Sequence, residues 1–573
     1  MDALLLSVVA KQVAARSVGA RVMRVDQPSV SEVILSLRKS GLNMYLLVSI
    51  DARNARLHFT DNPRRTGDHP PAFCMLLRRR LEGSRIERVY QPEMERVVHI
   101  DVLSSNEIGD AQKLSLVIEI MAKRSNLILC DSDLGIAGVM RPVHASHNRY
   151  RQLLPGMAYE PPPPPGKTPP TCVTKDTFGN AVTDCERAVL SCVRGFGPLL
   201  AREVCQRSRH LETLYCPAEA LSMATRDIWR ESQQQAAHIY FDASGKPLEV
   251  HVVELGIQHT SRETFCDVSE ALDRFYSELK SIEDVQTQAH SVRQVLGTCI
   301  QRIRRRLEVR SKEISKSLER DALKHKADLI LTYLPEVRSV LAAGGRSVEL
   351  LDPAEGTAIR VELDPRKSAS ENAQSYYRRY SKERARYEAL LPQVQSDQAD
   401  LAYLEGVLES LEFACSVQHI EDVRSELTQQ GFYKPRETRT RSKPSRTGQS
   451  TPYFQAIRTS LGDEVLFGTN NKQNDYLTNR VAKPDDLWFH AKDVPGAHVI
   501  LRNRGDVQQQ SIKEAAAIAA AYSKARHSTK VLVDYTHVKH VRKPPGSRPG
   551  MVIYDHHRTI AVDPTDARTA KPQ

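Results

Sequence analysis

Two narrow apolar seams in the middle of the chain constrain its fold more than any other feature. From Leu272 the apolar positions run Leu272, Phe275, Leu279 and Ile282, then Ala289, Val292, Leu296, Cys299, Ile303, Leu307, Ile314 and Leu318. Steps of three and four recur, with one slip near Val285, between residues that are mostly charged or polar. A second seam follows Asn372 through Tyr380, Tyr387, Val394, Leu401, Leu404, Leu408 and Leu411. Pro392 interrupts it and is expected to kink or break the helix, because proline lacks the N–H and clashes with the preceding turn. A heptad stripe of this width cannot be buried alone. The two arms are therefore expected to pack antiparallel as one lever, and about 60 residues at ~1.5 Å each span on the order of 90 Å. Such a lever suits spanning a large object better than enclosing a small substrate, although a coiled coil used only for dimerisation would carry the same pattern.

The remaining length, 573 residues in all, allows about four domains of ~150 residues. No apolar run approaches the ~18–20 residues of a membrane span. Met1-Asp2-Ala3-Leu4 carries no basic segment, so no secretory signal is expected. Ten cysteines are scattered without a Cys-x-x-Cys pair or a Cys/His cluster at zinc spacing, which reads as reduced thiols rather than a disulfide frame or a metal site. A net charge of +11 favours a polyanionic partner through counterion release. A membrane surface would attract the same charge, but no basic amphipathic helix with a Trp/Phe face is evident.

The expected class is α+β and multidomain. A mixed N-terminal domain (1–160) would have strands at 31–36, 45–49, 96–102 and 126–130 and a helix at 71–81 carrying Arg78-Arg79-Arg80. The proline run between Glu160 and Pro170 is a stiff linker. A helix–hairpin–helix-containing domain (171–262) follows, with its turn at Gly195-Phe196-Gly197-Pro198 and two strands within 237–258. A plain helical hairpin would look alike. The coiled-coil hairpin (268–430) carries a β tip at about 333–368, a basic linker occupies 434–450, and a C-terminal α/β domain covers 451–563.

No P-loop, G-x-S-x-G elbow, H-E-x-x-H or dinucleotide fingerprint occurs, so neither a catalytic set nor a cofactor or metal is expected. Basic and aromatic residues point instead to RNA. Arg302, Arg304, Arg305, Arg306 and Arg310 crowd one stretch of the first arm opposed by only Glu308, too lopsided for neutral pairing, although charge runs on coiled coils are usually solvated faces. Trp488-Phe489-His490-Ala491-Lys492-Asp493, with His498, suits base stacking and phosphate contact, or simply structural histidines. Candidate RNA contacts are Arg78, Arg79, Arg304, Arg305, Lys472, Trp488, His490 and Lys492.

Several longer motifs resemble a known family. Gly468-Thr469-Asn470-Asn471-Lys472-Gln473-Asn474-Asp475-Tyr476-Leu477-Thr478 and Asp486-Leu487-Trp488-Phe489-His490-Ala491-Lys492-Asp493-Val494-Pro495-Gly496-Ala497-His498 resemble the signature of the NFACT RNA-binding domain. Pro71-Ala72-Phe73-Cys74-Met75-Leu76-Leu77-Arg78, Asn106-Glu107-Ile108-Gly109-Asp110 and Glu119-Ile120-Met121-Ala122-Lys123-Arg124-Ser125-Asn126 resemble the NFACT N-terminal domain. Leu363-Asp364-Pro365 with Ser370-Glu371-Asn372 is similar to the family's start of the second arm.

The resemblance implies a cytoplasmic ribosome quality-control factor that binds a dissociated large (50S) subunit still carrying peptidyl-tRNA. It would recruit alanyl-tRNA and promote template-free C-terminal alanine tailing, with the ribosome supplying the chemistry, so the protein would be an adaptor and not an enzyme. An RqcP-like RNA-binding protein of the heat-shock-protein-15 family is an implied partner. The family's functional Asp-Arg pair aligns with Glu95-Arg96, whose acid is one methylene longer. Lys123-Arg124 stands where Arg-His is usual, and Thr469 where an arginine is usual. Two alternatives remain: a surface adhesin that binds fibronectin, and a DNA-glycosylase-like enzyme, whose N-terminal proline and zinc finger have no counterpart here.

Overall fold

Alternation along the N-terminal strands puts apolar side chains on both faces of one antiparallel sheet, and two different layers cover them. The computed structural model describes residues 1–105, 111–146, 151–163, 166–179, 184–212, 214–234, 236–414, 416–434, 454–502, 505 and 507–565. The Asn106–Asp110 motif and all of the basic linker beyond Lys434 lie outside them. The chain forms two units, Met1–Lys280 and Ser281–Gln573.

In the first unit, α1 (Ala3–Ser17) precedes β1 (Arg21–Ser29), β2 (Glu32–Lys39), β3 (Leu42–Ser49) and β4 (Arg56–Phe59). Next come α2 (Ala72–Leu81), β5 (Arg85–Tyr90), β6 (Val97–Ser105), β7 (Ala111–Glu119), β8 (Asn126–Cys130) and β9 (Ile136–Val139). The sheet order is β4-β3-β2-β1-β5-β6-β7-β8-β9. Along β6, Val98, Ile100 and Val102 join the core shared with α1, whereas Val97 packs with Val117, Ile128 and Leu153 on the opposite face. This is the two-residue period of a pleated strand.

Helices α3 (Lys175–Phe178), α4 (Cys185–Cys192), α5 (Pro198–Leu211) and α6 (Pro217–Ser232) share a second core that takes in Leu4 of α1. Strands β10 (Ala237–Phe241), β11 (Pro247–His251) and β12 (Ser261–Phe265) form a small sheet ordered β11-β10-β12. One thiol expectation is corrected here: Cys185 of α4 and Cys205 of α5 form a disulfide, with Cα atoms 5.9 Å apart. Folding the helical hairpin back on itself creates a proximity that a spacing of 20 residues does not announce.

Helix α7 (Val268–Leu318) begins in the first unit, where Leu272 and Phe275 complete the core. It is followed in the second unit by α8 (Arg320–Thr332), α9 (Leu334–Ala342), the hairpin β13 (Ser347–Leu351) and β14 (Ala358–Glu362), α10 (Ala369–Ser410) and α11 (Val417–Gln429). Val292, Leu296 and Ile303 of α7 pack on Leu404 and Val407 of α10 and on Ile420 and Leu427 of α11. Ion pairs Arg293–Glu412, Arg304–Glu405 and Glu313–Arg386 run in opposite order along the two arms, so the arms are antiparallel. Around and beyond the last of these pairs, residues 377–393 of α10 are all exposed or half-buried, and the contacts turn polar: Ser317 donates to Glu383, and Arg320 lies over the Tyr387 ring at 4.1 Å. The break expected at Pro392 does not occur, because α10 continues through it. The ring removes one donor, and the turns on either side retain theirs.

The last part of the second unit is a six-stranded antiparallel sheet. Its elements are β15 (Gln455–Arg458), β16 (Glu464–Phe467), α12 (Asn471–Tyr476), β17 (Leu487–Ala491), β18 (Val499–Leu501), α13 (Gln509–Ala521), β19 (Val531–His537), β20 (Val541–Arg542), β21 (Ile553–Tyr554) and β22 (Arg558–Val562). The order is β15-β16-β18-β17-β19-β22, with β20 and β21 paired apart. Alanines of α13 cover one face over Val465, Phe489 and Val533, and Leu466, Trp488 and Ile500 occupy the other.

Candidate nucleic-acid interface

The four residues marked for tRNA binding come together at one end of the large sheet. Val97 of β6 stands opposite Glu119 of β7, so the residue before β6 meets the residue after β7. The Ile120 N–H donates to the Arg96 carbonyl at 2.8 Å. Glu95-Arg96 and Lys123-Arg124 therefore flank the same backbone bond. Lys123 and Arg124 occupy a single exposed turn that follows Ala122 at φ +49°. Arg141 Nη1 donates to the Lys123 carbonyl at 3.1 Å and holds that turn.

The loop before β6 is equally constrained. Glu93 and Met94 adopt φ +40° and +59°, and Gln91 Nε2 donates to the carbonyls of Ala3 at 3.0 Å and Glu95 at 2.6 Å. Met94 rests on Gly195, in the turn between α4 and α5. From that turn Arg194 donates to Glu93 Oε2 at 2.7 Å and to the Lys167 carbonyl at 3.1 Å. Burial raises the Glu95 carboxyl above its usual range, with the charges of Arg194 and Arg96 pulling the other way. Glu119 is buried and taken up by Arg151 and by Tyr159 Oη, the latter at 2.8 Å. Glu93 and Glu119 are thus held in place by neighbours, while Arg96, Lys123 and Arg124 are exposed. Exposed cations on a fixed backbone suit a phosphate chain, and guanidinium adds a fork for two oxygens. Arg194 and Arg141 had no distinguishing signal in the sequence, since only the tertiary fold brings them here.

The other expected contacts fare differently. Arg78 Nε donates to the Val25 carbonyl at 2.8 Å and its guanidinium faces Asp26, so it braces α2 on β1, whereas Arg79 is exposed. The lopsided charge expected on α7 is corrected by the opposite arm. Arg304 pairs with Glu405 at 2.6 Å, and Arg306 and Arg310 both engage Asp397, while Arg305 is exposed. Lys472 Nζ donates to Ser425 Oγ at 2.9 Å, and Lys492 is half-buried.

Trp488 is fully buried, stacked on His490 at 5.6 Å, so the expectation of an open stacking platform is corrected. Burial lowers His490 to about 4 and holds His498 well below the usual histidine range, leaving both neutral near pH 7. A neutral ring cannot supply the phosphate charge contact expected of His490. Thr469 is also buried, its hydroxyl 3.3 Å from His419 Nδ1. Among the described residues, His540, Asp555 and His556 bring three possible metal-ligand atoms within 4.8 Å of one another, but Asp555 already pairs with Arg542 at 3.0 Å.

Comparison with known proteins gives a consistent result. The family described as NFACT N-terminal and middle domains matches residues 2–446, and the NFACT protein RNA binding domain matches residues 452–554. The chain belongs to the NFACT family. Among its relatives, the Rqc2 homolog RqcH of Bacillus subtilis is 32% identical over 558 residues, covering 96% of this chain and 95% of that protein. The RqcH of Streptococcus suis is 29% identical over 556 residues, with the same coverage of both. The solved structure of the fibrinogen binding protein from Staphylococcus aureus shares 26% identity, covers 48% of this NFACT chain and 98% of its own, and has a TM-score of 0.43. Among the described residues of the NFACT chain, no helix is long and apolar enough to cross a membrane.

Proposed function

We propose that this NFACT protein is a ribosome quality-control factor. It binds a 50S subunit carrying peptidyl-tRNA, recruits alanyl-tRNA and promotes template-independent alanine tailing of the nascent chain. Near full-length similarity to Rqc2 homologues supports this reading. The observation that carries it is the Ile120–Arg96 backbone bond, which brings the strand end bearing Arg96 beside the turn bearing Lys123-Arg124, three exposed cations that suit one stretch of tRNA backbone. The peptidyl-transferase centre supplies the chemistry, so the protein works as a cytoplasmic adaptor, with an RqcP-like protein as co-factor on the subunit.

Arg96→Ala tests the reading in a reconstituted tailing reaction. The side chain is exposed, so thermal unfolding should match wild type while tRNA binding and alanine addition fall to background. Alanine addition at the wild-type rate would remove Arg96 from the site.

A further inference from the structure

Helix α4 is short and weakly held by packing. Its 8 residues are fewer than the ~12–15 that a helix needs to persist in water without tertiary support. Among the described residues of α4, only Val189 is buried. Asp184 caps its start by accepting from the Arg187 N–H at 3.0 Å. Glu186 reaches Arg202 of α5 at 3.7 Å, but both side chains are exposed and such a pair stabilises little. The firm tie is covalent: the disulfide joins Cys185, the first residue of α4, to Cys205 in the middle of α5.

The other end of α4 leads straight into the contacts that fix the candidate tRNA edge. At ~1.5 Å per residue the two ends of the helix lie about 12 Å apart, so a tilt at Cys185 is carried to the turn that follows. In that turn the Arg194 N–H donates to the Thr168 carbonyl at 2.8 Å, and the Arg194 guanidinium holds Glu93. Gly195 supports Met94, the residue before Glu95-Arg96. A bond at one end of α4 therefore governs how firmly the loop bearing Arg96 is seated. In the cytoplasm small thiols keep most disulfides reduced, and those that form there are usually transient or redox-sensing.

We propose that Cys185–Cys205 is a reversible redox switch on the tRNA edge: the disulfide seats the Glu95-Arg96 loop for binding, and reduction loosens it. The inference rests on the tRNA-binding reading of that edge. Cys185 is the half-buried partner and Cys205 is 5% exposed, so exchange starts at Cys185. The thiolate of a small thiol attacks Cys185 Sγ, the protein S–S bond breaks, and its electron pair leaves on Cys205 Sγ, which takes up a proton. A second small thiolate then attacks its own kind in the mixed disulfide and releases Cys185 as a thiol. Two small thiols are thereby oxidised to one small disulfide as the protein gains two thiols. A small disulfide drives the same steps in reverse.

The test uses the full-length protein equilibrated with reduced or oxidised glutathione, and fluorescently labelled alanine tRNA followed by anisotropy. Alkylation of the unfolded protein and its intact mass count the thiols, and the oxidised form should carry two fewer. Oxidised wild type should bind tRNA roughly 3- to 10-fold more tightly than reduced, the cost of ordering one loose side chain on binding. Its first unit should unfold roughly 5–10 °C higher, as expected for a bond closing a loop of this size. Cys185→Ser should match reduced wild type in both media, and Cys205→Ala gives the same readout should the serine variant fail to fold. Arg96→Ala should remove the difference between the two forms. Equal thiol counts in the two media, equal tRNA binding by the two forms, or a difference that survives Arg96→Ala overturns the switch. Binding of tRNA that Arg96→Ala leaves unchanged in either medium overturns the tRNA reading itself.

Discussion

Replacing Asp397 with asparagine separates two roles for the basic run on α7. The Asp397 side chain is only 4% exposed and is gripped by Arg306, whose Nε donates at 2.9 Å, and by Arg310. An amide can accept from one guanidinium but offers no charge to either. Breaking a buried ion pair costs ~3–5 kcal/mol when the orphaned partner stays buried. Here Arg306 is 42% exposed and Arg310 23%, so both can turn to water, and the cost should be nearer 1–2 kcal/mol. The unfolding transition of the second unit should fall by ~2–5 °C. The same change frees two positive charges. Binding of a ribosomal RNA fragment, followed by filter retention across a series of KCl concentrations, should tighten, and the slope of log affinity against log salt should steepen by roughly 1–2. Lower stability with tighter binding would establish that the pairing holds these arginines away from RNA. Unchanged unfolding would refute the clamp, and weaker binding would mean that the paired arrangement is itself the RNA-contacting one.

Two further perturbations address other parts of the chain. Burial lowers His58 to about 3 and His419 and His490 to about 4, and holds His498 well below its usual range. These rings are neutral in the fold but protonate near 6.5 once unfolded. Their stabilising contribution is therefore complete above about pH 6.5 and is lost as the pH falls towards 4, by roughly 3 kcal/mol for His419 alone. Thermal unfolding measured from pH 7.5 to 4.5 should show this decline, and a flat profile would contradict burial of the rings. Gly195→Ala would strain a φ of +81° and bring a Cβ to 3.2 Å from Met94 Cε and 3.4 Å from the Met94 carbonyl. The strain should cost about 1–2 kcal/mol in the first unit and displace the Glu95-Arg96 loop, so that on the proposed function alanine addition falls although none of the four candidate side chains is changed. Wild-type tailing together with wild-type unfolding would show that the loop does not depend on this contact.

The parts legible in the sequence are those governed by local period. Of the apolar steps from Leu272 to Ile303, Leu272, Phe275, Ala289, Val292, Leu296, Cys299 and Ile303 reappear as buried positions while Leu279 and Ile282 are half-buried, and the strand expected at 126–130 is β8, because burial on one face or two leaves a direct mark on residue spacing. The parts that were not legible depend on register across long separations. Asp397 neutralises Arg306 and Arg310 from the other arm, and Cys205 reaches Cys185 only once α4 and α5 fold together. The burial of Trp488 leaves no local signal, because an aromatic beside a histidine and a lysine looks the same whether its strand faces solvent or a second layer.

The candidate tRNA edge lies between these two cases. Its residue pairs were marked by family resemblance, but nothing local says that they are neighbours. Antiparallel pairing supplies the link: once Val97 faces Glu119, Arg96 must face Ile120, and the turn bearing Lys123-Arg124 follows directly. Slipping that register by one residue would turn Val98, Ile100 and Val102 away from the core under α1. Burial of the sheet's apolar face thus enforces the cluster of cations at its end, and the exposed side chains of that cluster can vary in identity without loss of the geometry that gathers them.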